Sequence, residues 1–131
     1  MLLLGKMTVK KNSLPPAAVR PTEQERYAAF KRALGAVGFI RRGSLVTRFM
    51  PCGKAGCRCQ ATPPELHGPY YQWTRKVRGK TVTVRLSRAE ATALQAWIAN
   101  GRQFDKLVAQ MEVLSLRITD RLLRSIRDAK P

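Results

Sequence analysis

The sequence predicts an α+β protein with a small three-stranded antiparallel sheet, a metal knuckle of three cysteines and one histidine, one N-terminal helix, and a long C-terminal helix or helix pair. Two segments of alternating residue character flank a turn at Arg78-Gly79, as in a β-hairpin. Apolar residues recur at spacings of three and four near both ends of the chain, which is typical of helices. All three cysteines and the single histidine lie between residues 52 and 67.

The chain of 131 residues divides into three parts. Residues 1–21 are predicted to form a flexible basic arm, because their prolines oppose helix formation. Residues 22–100 are assigned to a zinc-knuckle and basic-sheet domain with flanking helices. Residues 101–131 are assigned to a C-terminal helix that serves packing or oligomerisation.

The first helix is expected to begin after an N-cap at Thr22, since Glu23 and Glu25 place acidic groups in its first turn. Gly38 is expected to end it. One apolar face of this helix is predicted from Tyr27, Phe30, Leu34 and Val37.

Three strands follow in the sequence. Residues 45–50 predict a short strand that leads into the cysteine cluster. Residues 70–77 and 80–86 predict two hairpin strands. In the second hairpin strand, Val82, Val84 and Leu86 share one face.

A capping box formed by Ser87 and Glu90 predicts the start of a C-terminal helix at Arg88. The helix is expected to run to Asn100-Gly101, which interrupts or ends it. A second helical stretch is expected from about Phe104 to Arg127. Its heptad-like seam, a candidate oligomerisation surface, consists of Phe104, Leu107, Met111, Leu114 and Ile118. Alternatively, the seam packs on the apolar face of the N-terminal helix.

The cysteines and the histidine, Cys52, Cys57, Cys59 and His67, have the spacing C-x4-C-x-C-x7-H. Three thiolates and one imidazole fill the four positions of a tetrahedral Zn²⁺, so the site is predicted to be structural. The glycines between the first two cysteines would let the backbone wrap around the ion. Two alternatives remain open: reduced thiols beside a hydrogen-bonding histidine, or redox chemistry.

The chain carries 25 lysines and arginines against 8 acidic residues, a formal net charge of +17. Such an excess favours a nucleic-acid partner, because it destabilises the compact chain by self-repulsion. The scarcity of carboxylates argues against an enzyme. No apolar run approaches the roughly 18 residues of a membrane span. We therefore expect a cytoplasmic, nucleoid-associated protein with no membrane partner.

The predicted hairpin combines aromatic and basic residues, and one polar face of it is expected to contact DNA, with RNA less favoured. Tyr71, Trp73, Val82 and Val84 would pack beneath that face. The candidate nucleic-acid-binding residues are Arg41, Arg42, Lys54, Arg58, Gln72, Thr74, Arg75, Lys76, Arg78, Lys80, Thr83 and Arg85. Two alternatives are an RNA-binding or ribonucleoprotein component, and a helix-mediated interaction protein whose charge gives only non-specific tethering. The hairpin face could also be merely solvated.

Several motifs together resemble a family of small basic bacterial proteins known only as a domain of unknown function. The motifs are Cys52-Gly53-Lys54, Gly56-Cys57-Arg58-Cys59, His67-Gly68-Pro69-Tyr70-Tyr71 and Gly79-Lys80-Thr81-Val82-Thr83. Members of that family are often met near transposases, so the resemblance implies a mobile-element setting and a transposase or recombinase partner. Residues 70–87 also resemble, more weakly, the arm-type DNA-binding domain of tyrosine integrases, in which a small sheet enters the major groove.

Overall fold

The computed structural model describes residues 19–129 of the chain. Residues 1–18, which hold most of the predicted basic arm, lie outside the described residues. The elements in chain order are helix α1 (Pro21–Gly35), strand β1 (Ser44–Met50), a short 3₁₀ helix (Arg58–Gln60), strands β2 (His67–Val77) and β3 (Lys80–Leu86), and helix α2 (Arg88–Asp128). The predicted fold class, a three-stranded antiparallel sheet with an N-terminal and a long C-terminal helix, is confirmed.

Helix α1 begins earlier than the sequence pattern predicted. The N-cap is Arg20 rather than Thr22, and Pro21 occupies the first helical position. Proline fits there because its missing N–H would have no partner in the first turn, and its fixed φ suits a helix. The Arg20 N–H donates to Glu23 Oε1 at 3.2 Å. The helix ends at Gly35, so Gly38 is not its stop.

The sheet has the order β1-β2-β3, and both strand pairs are antiparallel. Arg78 and Gly79, with φ of 50° and 80°, make the turn between β2 and β3. Two consecutive residues with positive φ match the right-handed twist of a hairpin, and glycine adopts this conformation readily. The predicted hairpin and its turn are therefore confirmed.

The chain clusters into two compact units, each with its own core. The unit of residues 37–105 contains the sheet and the N-terminal part of α2. Its core consists of Trp73, Leu94 and Ile98, with Leu45 and Leu86 packed against them. Burying these apolar side chains covers one face of the sheet with α2.

The predicted interruption of the C-terminal helix at Asn100-Gly101 is wrong, because α2 continues through both residues. Gly101 is buried, and a Cβ there would meet the Arg41 carbonyl oxygen at 3.1 Å. The Asn100 side-chain amide donates to the carbonyl of Phe39 at 2.8 Å. Both residues therefore serve the close approach of the segment before β1, at a small cost in helix propensity.

The second unit combines α1 with the C-terminal part of α2, from Lys106 onward. Its buried residues are Leu114, Ile118 and Leu122, and Val19, Tyr27 and Phe30 pack against them. Leu107 is also buried, whereas Phe104 and Met111 are half-buried. Leu114 and Ile118 of the predicted seam thus pack on α1, which is the alternative that the sequence left open beside oligomerisation.

An ion pair joins the helices of this second unit. The Arg121 guanidinium donates to both carboxylate oxygens of Glu23, with Nη1 2.9 Å from Oε2. Arg121 is half-buried, unlike Arg117, Arg124 and Arg127, which are exposed on the same helix. Glu23 is 5% exposed, and the hydrogen bond from Arg121 lowers its pKa to about 2.

Candidate metal centre and nucleic-acid interface

The three cysteines and the histidine meet where β1 ends and β2 begins. Cys52 follows the end of β1, Cys57 is the N-cap residue of the short 3₁₀ helix, and Cys59 is the middle residue of that helix. His67 is the first residue of β2 and pairs with Met50. All four potential ligand atoms lie within 4.8 Å of one another. The prediction that these four residues form a cluster is therefore confirmed.

The distances in the cluster fit a tetrahedral ion. Cys52 Sγ lies 3.5 Å from Cys59 Sγ, and Cys57 Sγ lies 3.2 Å from His67 Nε2. Zinc–ligand bond lengths in tetrahedral geometry require about 3.8 Å between sulfurs and about 3.5 Å between sulfur and nitrogen. A disulfide needs a separation of about 2.05 Å, so all three cysteines are free thiols. Donor type and spacing both fit a structural metal.

Backbone amides already favour thiolates at two of the three cysteines. The Cys52 N–H donates to Cys59 Sγ at 3.2 Å, which lowers the pKa of the Cys59 thiol. A hydrogen bond from the Cys59 N–H likewise lowers the pKa of Cys57. At Cys52 the Lys54 N–H acts in the same direction, but the two neighbouring thiols outweigh it and the pKa is raised. Bound metal requires all three as thiolates.

Gln60 braces the cluster from outside, a role that sequence reasoning missed. Its side-chain amide donates to the Cys52 carbonyl at 2.8 Å and approaches Cys59 Sγ at 3.6 Å. Partners of this kind orient metal ligands. Only its position next to Cys59 in the sequence could have suggested this role.

Two glycines in this region have a conformation that other residues rarely adopt, at Gly56 (φ 81°) and Gly68 (φ 143°). At Gly68 a Cβ would also lie 2.8 Å from the Arg48 carbonyl oxygen. This close approach holds His67 beside the end of β1. Gly53 has open space around its Cβ position and no such φ, so the expectation that it wraps the metal has no steric basis.

The register of the hairpin confirms the predicted sharing of faces. Gln72 pairs with Arg85, Thr74 with Thr83, and Lys76 with Thr81, while Trp73 pairs with Val84 on the opposite face. The two threonine hydroxyls of the middle pair are 3.0 Å apart. The ammonium of Lys76 donates to the Thr81 hydroxyl at 2.8 Å.

Strand β1 extends this surface, because Val46 pairs with Gln72 and Arg48 with Tyr70. Arg48 was missed in the sequence because the register of β1 was unknown. The guanidinium of Arg85 lies 4.5 Å from the centre of the Tyr70 ring. We call this surface the polar face; its residues are Ser44, Val46, Arg48, Tyr70, Gln72, Thr74, Lys76, Thr81, Thr83 and Arg85.

Three of the predicted nucleic-acid-binding arginines lie away from the polar face. Arg75 and Arg41 lie against the Trp73 ring, with guanidinium carbons 3.9 Å and 5.1 Å from its centre. Arg42 pairs with Asp105, with Nη2 3.0 Å from Oδ1. Arg75 and Lys76 lie on opposite faces of β2, because successive residues of a strand alternate between its two faces. The contacts of Arg41 and Arg42 with distant segments left no sign in the sequence.

Lys54 and Arg58 lie in the connection between β1 and β2, which carries the cysteines, rather than on the sheet. Both are exposed, and Arg58 Nε is 3.6 Å from a Glu65 carboxylate oxygen. Arg78 and Lys80 are exposed at the hairpin turn. These four basic side chains therefore remain accessible to a partner.

Among residues 19–129, no helix is long and apolar enough to cross a membrane. A family model described as "Domain of unknown function (DUF6788)" matches residues 20–96, which is more than half of the chain. The match includes all four residues of the metal cluster and the complete sheet. No curated protein and no solved structure matches the chain.

Proposed function

This chain belongs to the DUF6788 family, and on that premise we propose that it is a non-enzymatic, zinc-stabilised nucleic-acid-binding protein. Its preferred partner is double-stranded DNA, bound by the polar face. The resemblance of its motifs to small basic proteins met near transposases supports a role as an accessory protein of a bacterial mobile element, with a transposase or recombinase as partner. A nucleoid-associated, cytoplasmic location follows from this proposal.

The observation that carries the proposal is the charge and exposure of the polar face. Arg48, Lys76 and Arg85 are exposed on it, and Arg78 and Lys80 continue it at the turn. No acidic residue belongs to this surface, and the whole chain carries +17. Phosphates would attract these side chains without regard to sequence.

The same face carries groups that can read base edges. Gln72 and Arg85 lie opposite each other, and their side chains suit adenine and guanine respectively. A small sheet can enter the major groove of B-form DNA, whereas the corresponding groove of A-form RNA is too narrow. This difference favours duplex DNA over duplex RNA.

The metal supports this surface rather than reacting. Three thiolates and one imidazole leave no open position for substrate or water, as in structural zinc sites. Cys52 and His67 join the end of β1 to the start of β2, close to Arg48. When bound, the ion would cross-link the connection between the two strands and so fix the edge of the polar face.

Two measurements on the full-length protein test the proposal. The first is zinc content: about one ion per chain, lost in Cys59→Ser, supports the structural site. The second is binding of duplex DNA against competing duplex and single-stranded RNA. We expect Lys76→Gln/Arg85→Gln to weaken DNA binding more than the matched control Lys31→Gln/Arg124→Gln, which removes the same charge from exposed sites in the other unit.

The outcomes separate the alternatives. Stronger competition by RNA than by DNA would identify a ribonucleoprotein component instead. Equal losses in the two double variants would show that net charge acts without the polar face. A protein that folds and binds DNA fully without metal would overturn the structural role of zinc.

A further inference from the structure

The C-terminal part of α2 has a second apolar surface that its own core does not use. Leu116, Leu123 and Ile126 are 63%, 51% and 62% exposed, and Thr119 lies among them at helical spacing. We call these four residues the apolar stripe. Large aliphatic side chains clustered on one exposed strip of a helix mark an interaction surface.

The polar atom within the stripe is already satisfied. The Thr119 hydroxyl donates to the Ser115 carbonyl at 2.7 Å, within the same helix. Burying Thr119 against a partner would therefore leave no hydroxyl donor unpaired. The stripe can be covered without the desolvation penalty that an unpaired polar group would bring.

A groove runs beside the stripe, between α1 and α2 in the same unit. It has a volume of about 340 Å³, and its lining includes the apolar side chains of Leu34, Met111 and Leu116 together with Glu112 and Thr119. The stripe and the groove together offer both projecting side chains and a cleft to receive them. Helices that associate side by side need this complementarity.

We propose that the apolar stripe is the interface of an antiparallel homodimer. Stripe and groove are present on every copy, so a second chain supplies both halves of the contact, as a two-fold interface requires. The two pairs of helices would then cover each other in a second layer, which a lone pair of helices lacks.

The charges beside the stripe select the antiparallel orientation. Glu112 lies toward one end of it and Arg127 toward the other, and both are exposed. A two-fold axis near Thr119 sets Leu116 level with Leu123 of the second copy, and Glu112 level with its Arg127. In a parallel pair, Glu112 would instead lie level with Glu112 of the second copy and Arg127 with its Arg127, and these like charges repel each other.

The test is the mass of the full-length protein in solution, measured by analytical ultracentrifugation over a wide range of concentration. We expect a dimer that Leu123→Lys weakens by about tenfold or more, because each copy would bury a charge in place of a leucine. Val113→Lys is the matched control, since Val113 is 59% exposed on the same helix outside the stripe. Circular dichroism verifies that both variants fold.

A charge exchange tests the orientation. Glu112→Lys should weaken the dimer, and adding Arg127→Glu should restore it. A wild-type protein that stays monomeric at every concentration overturns the proposal, as does equal weakening by Leu123→Lys and Val113→Lys. If the wild-type protein is a monomer and Leu123→Lys lowers its free energy of unfolding, another part of the same chain covers the stripe. Because DNA binding is measured separately, failure here leaves the proposed function intact.

Discussion

The salt dependence of DNA binding reports how many basic side chains of the polar face and its turn contact phosphates. Five such side chains are exposed: Arg48, Lys76, Arg78, Lys80 and Arg85. Each neutralised phosphate contributes about 0.9 to the slope of log Kobs against log [salt], so five contacts predict a slope of about −4.5. Substituting glutamine at two of them should reduce its magnitude by about 1.8.

The perturbation is the double variant Lys76→Gln/Arg85→Gln, and the assay is fluorescence anisotropy of a labelled DNA duplex titrated at several salt concentrations. The polar face lies outside the apolar core, so the fold should survive both substitutions. The control Lys31→Gln/Arg124→Gln lowers the net charge equally. Its slope should match that of the unaltered protein, because its two side chains lie in the other unit.

The reasoning is refuted if the magnitude of the salt slope falls by the same amount in both double variants, since binding would then depend on total charge. A slope that the polar-face substitutions leave unchanged would place the phosphates elsewhere on the protein. A slope near zero in the unaltered protein would argue against any phosphate-based contact.

Three further predictions concern stability. Gly68→Ala should destabilise the protein by about 1–3 kcal/mol, because alanine disfavours a φ of 143° and its Cβ would collide with the end of β1. In the same denaturation assay, Gly53→Ala should be nearly neutral. The folded-state pKa of Glu23, about 2, lies below its ordinary value of 4.5. The contribution of Glu23 to stability should therefore be present above pH 4.5 and lost as the pH falls toward 2. Glu23→Gln should remove this component of acid unfolding. Leu114→Ala, at a position 2% exposed, should cost about 2–5 kcal/mol, whereas Val113→Ala should change stability by less than about 0.5 kcal/mol.

Local patterns were sufficient to predict the hairpin and the metal cluster. The alternation in β2 and β3 predicted which side chains of each strand share a face, whereas the register between the strands, which the sequence left open by one residue, is given by the structure. The three cysteines and the histidine, which could hold a metal ion, carry a recognisable chemistry at close spacing. In both features the interacting residues are near one another in sequence.

Contacts between residues distant in sequence could not be predicted from local patterns. Asn100-Gly101 has the composition of a helix end, yet tertiary contacts with Phe39 and Arg41 keep it within α2. Arg121 sits on a helix whose other arginines are exposed, but its pairing with Glu23 spans most of the chain. Packing energy overrides local propensity at such positions, and no local pattern records it.

The connection between β1 and β2 has almost no core of its own. In residues 51–66 the only buried side chain is that of Cys59, one of the four candidate metal ligands. Without an ion bound to the thiolates, little apolar contact would hold this segment, whereas the sheet and α2 keep the Trp73 core. A protease added with a chelator should then cut first within residues 51–66 and leave the larger fragments folded, so that cleavage at this loop reports local unfolding ahead of global unfolding.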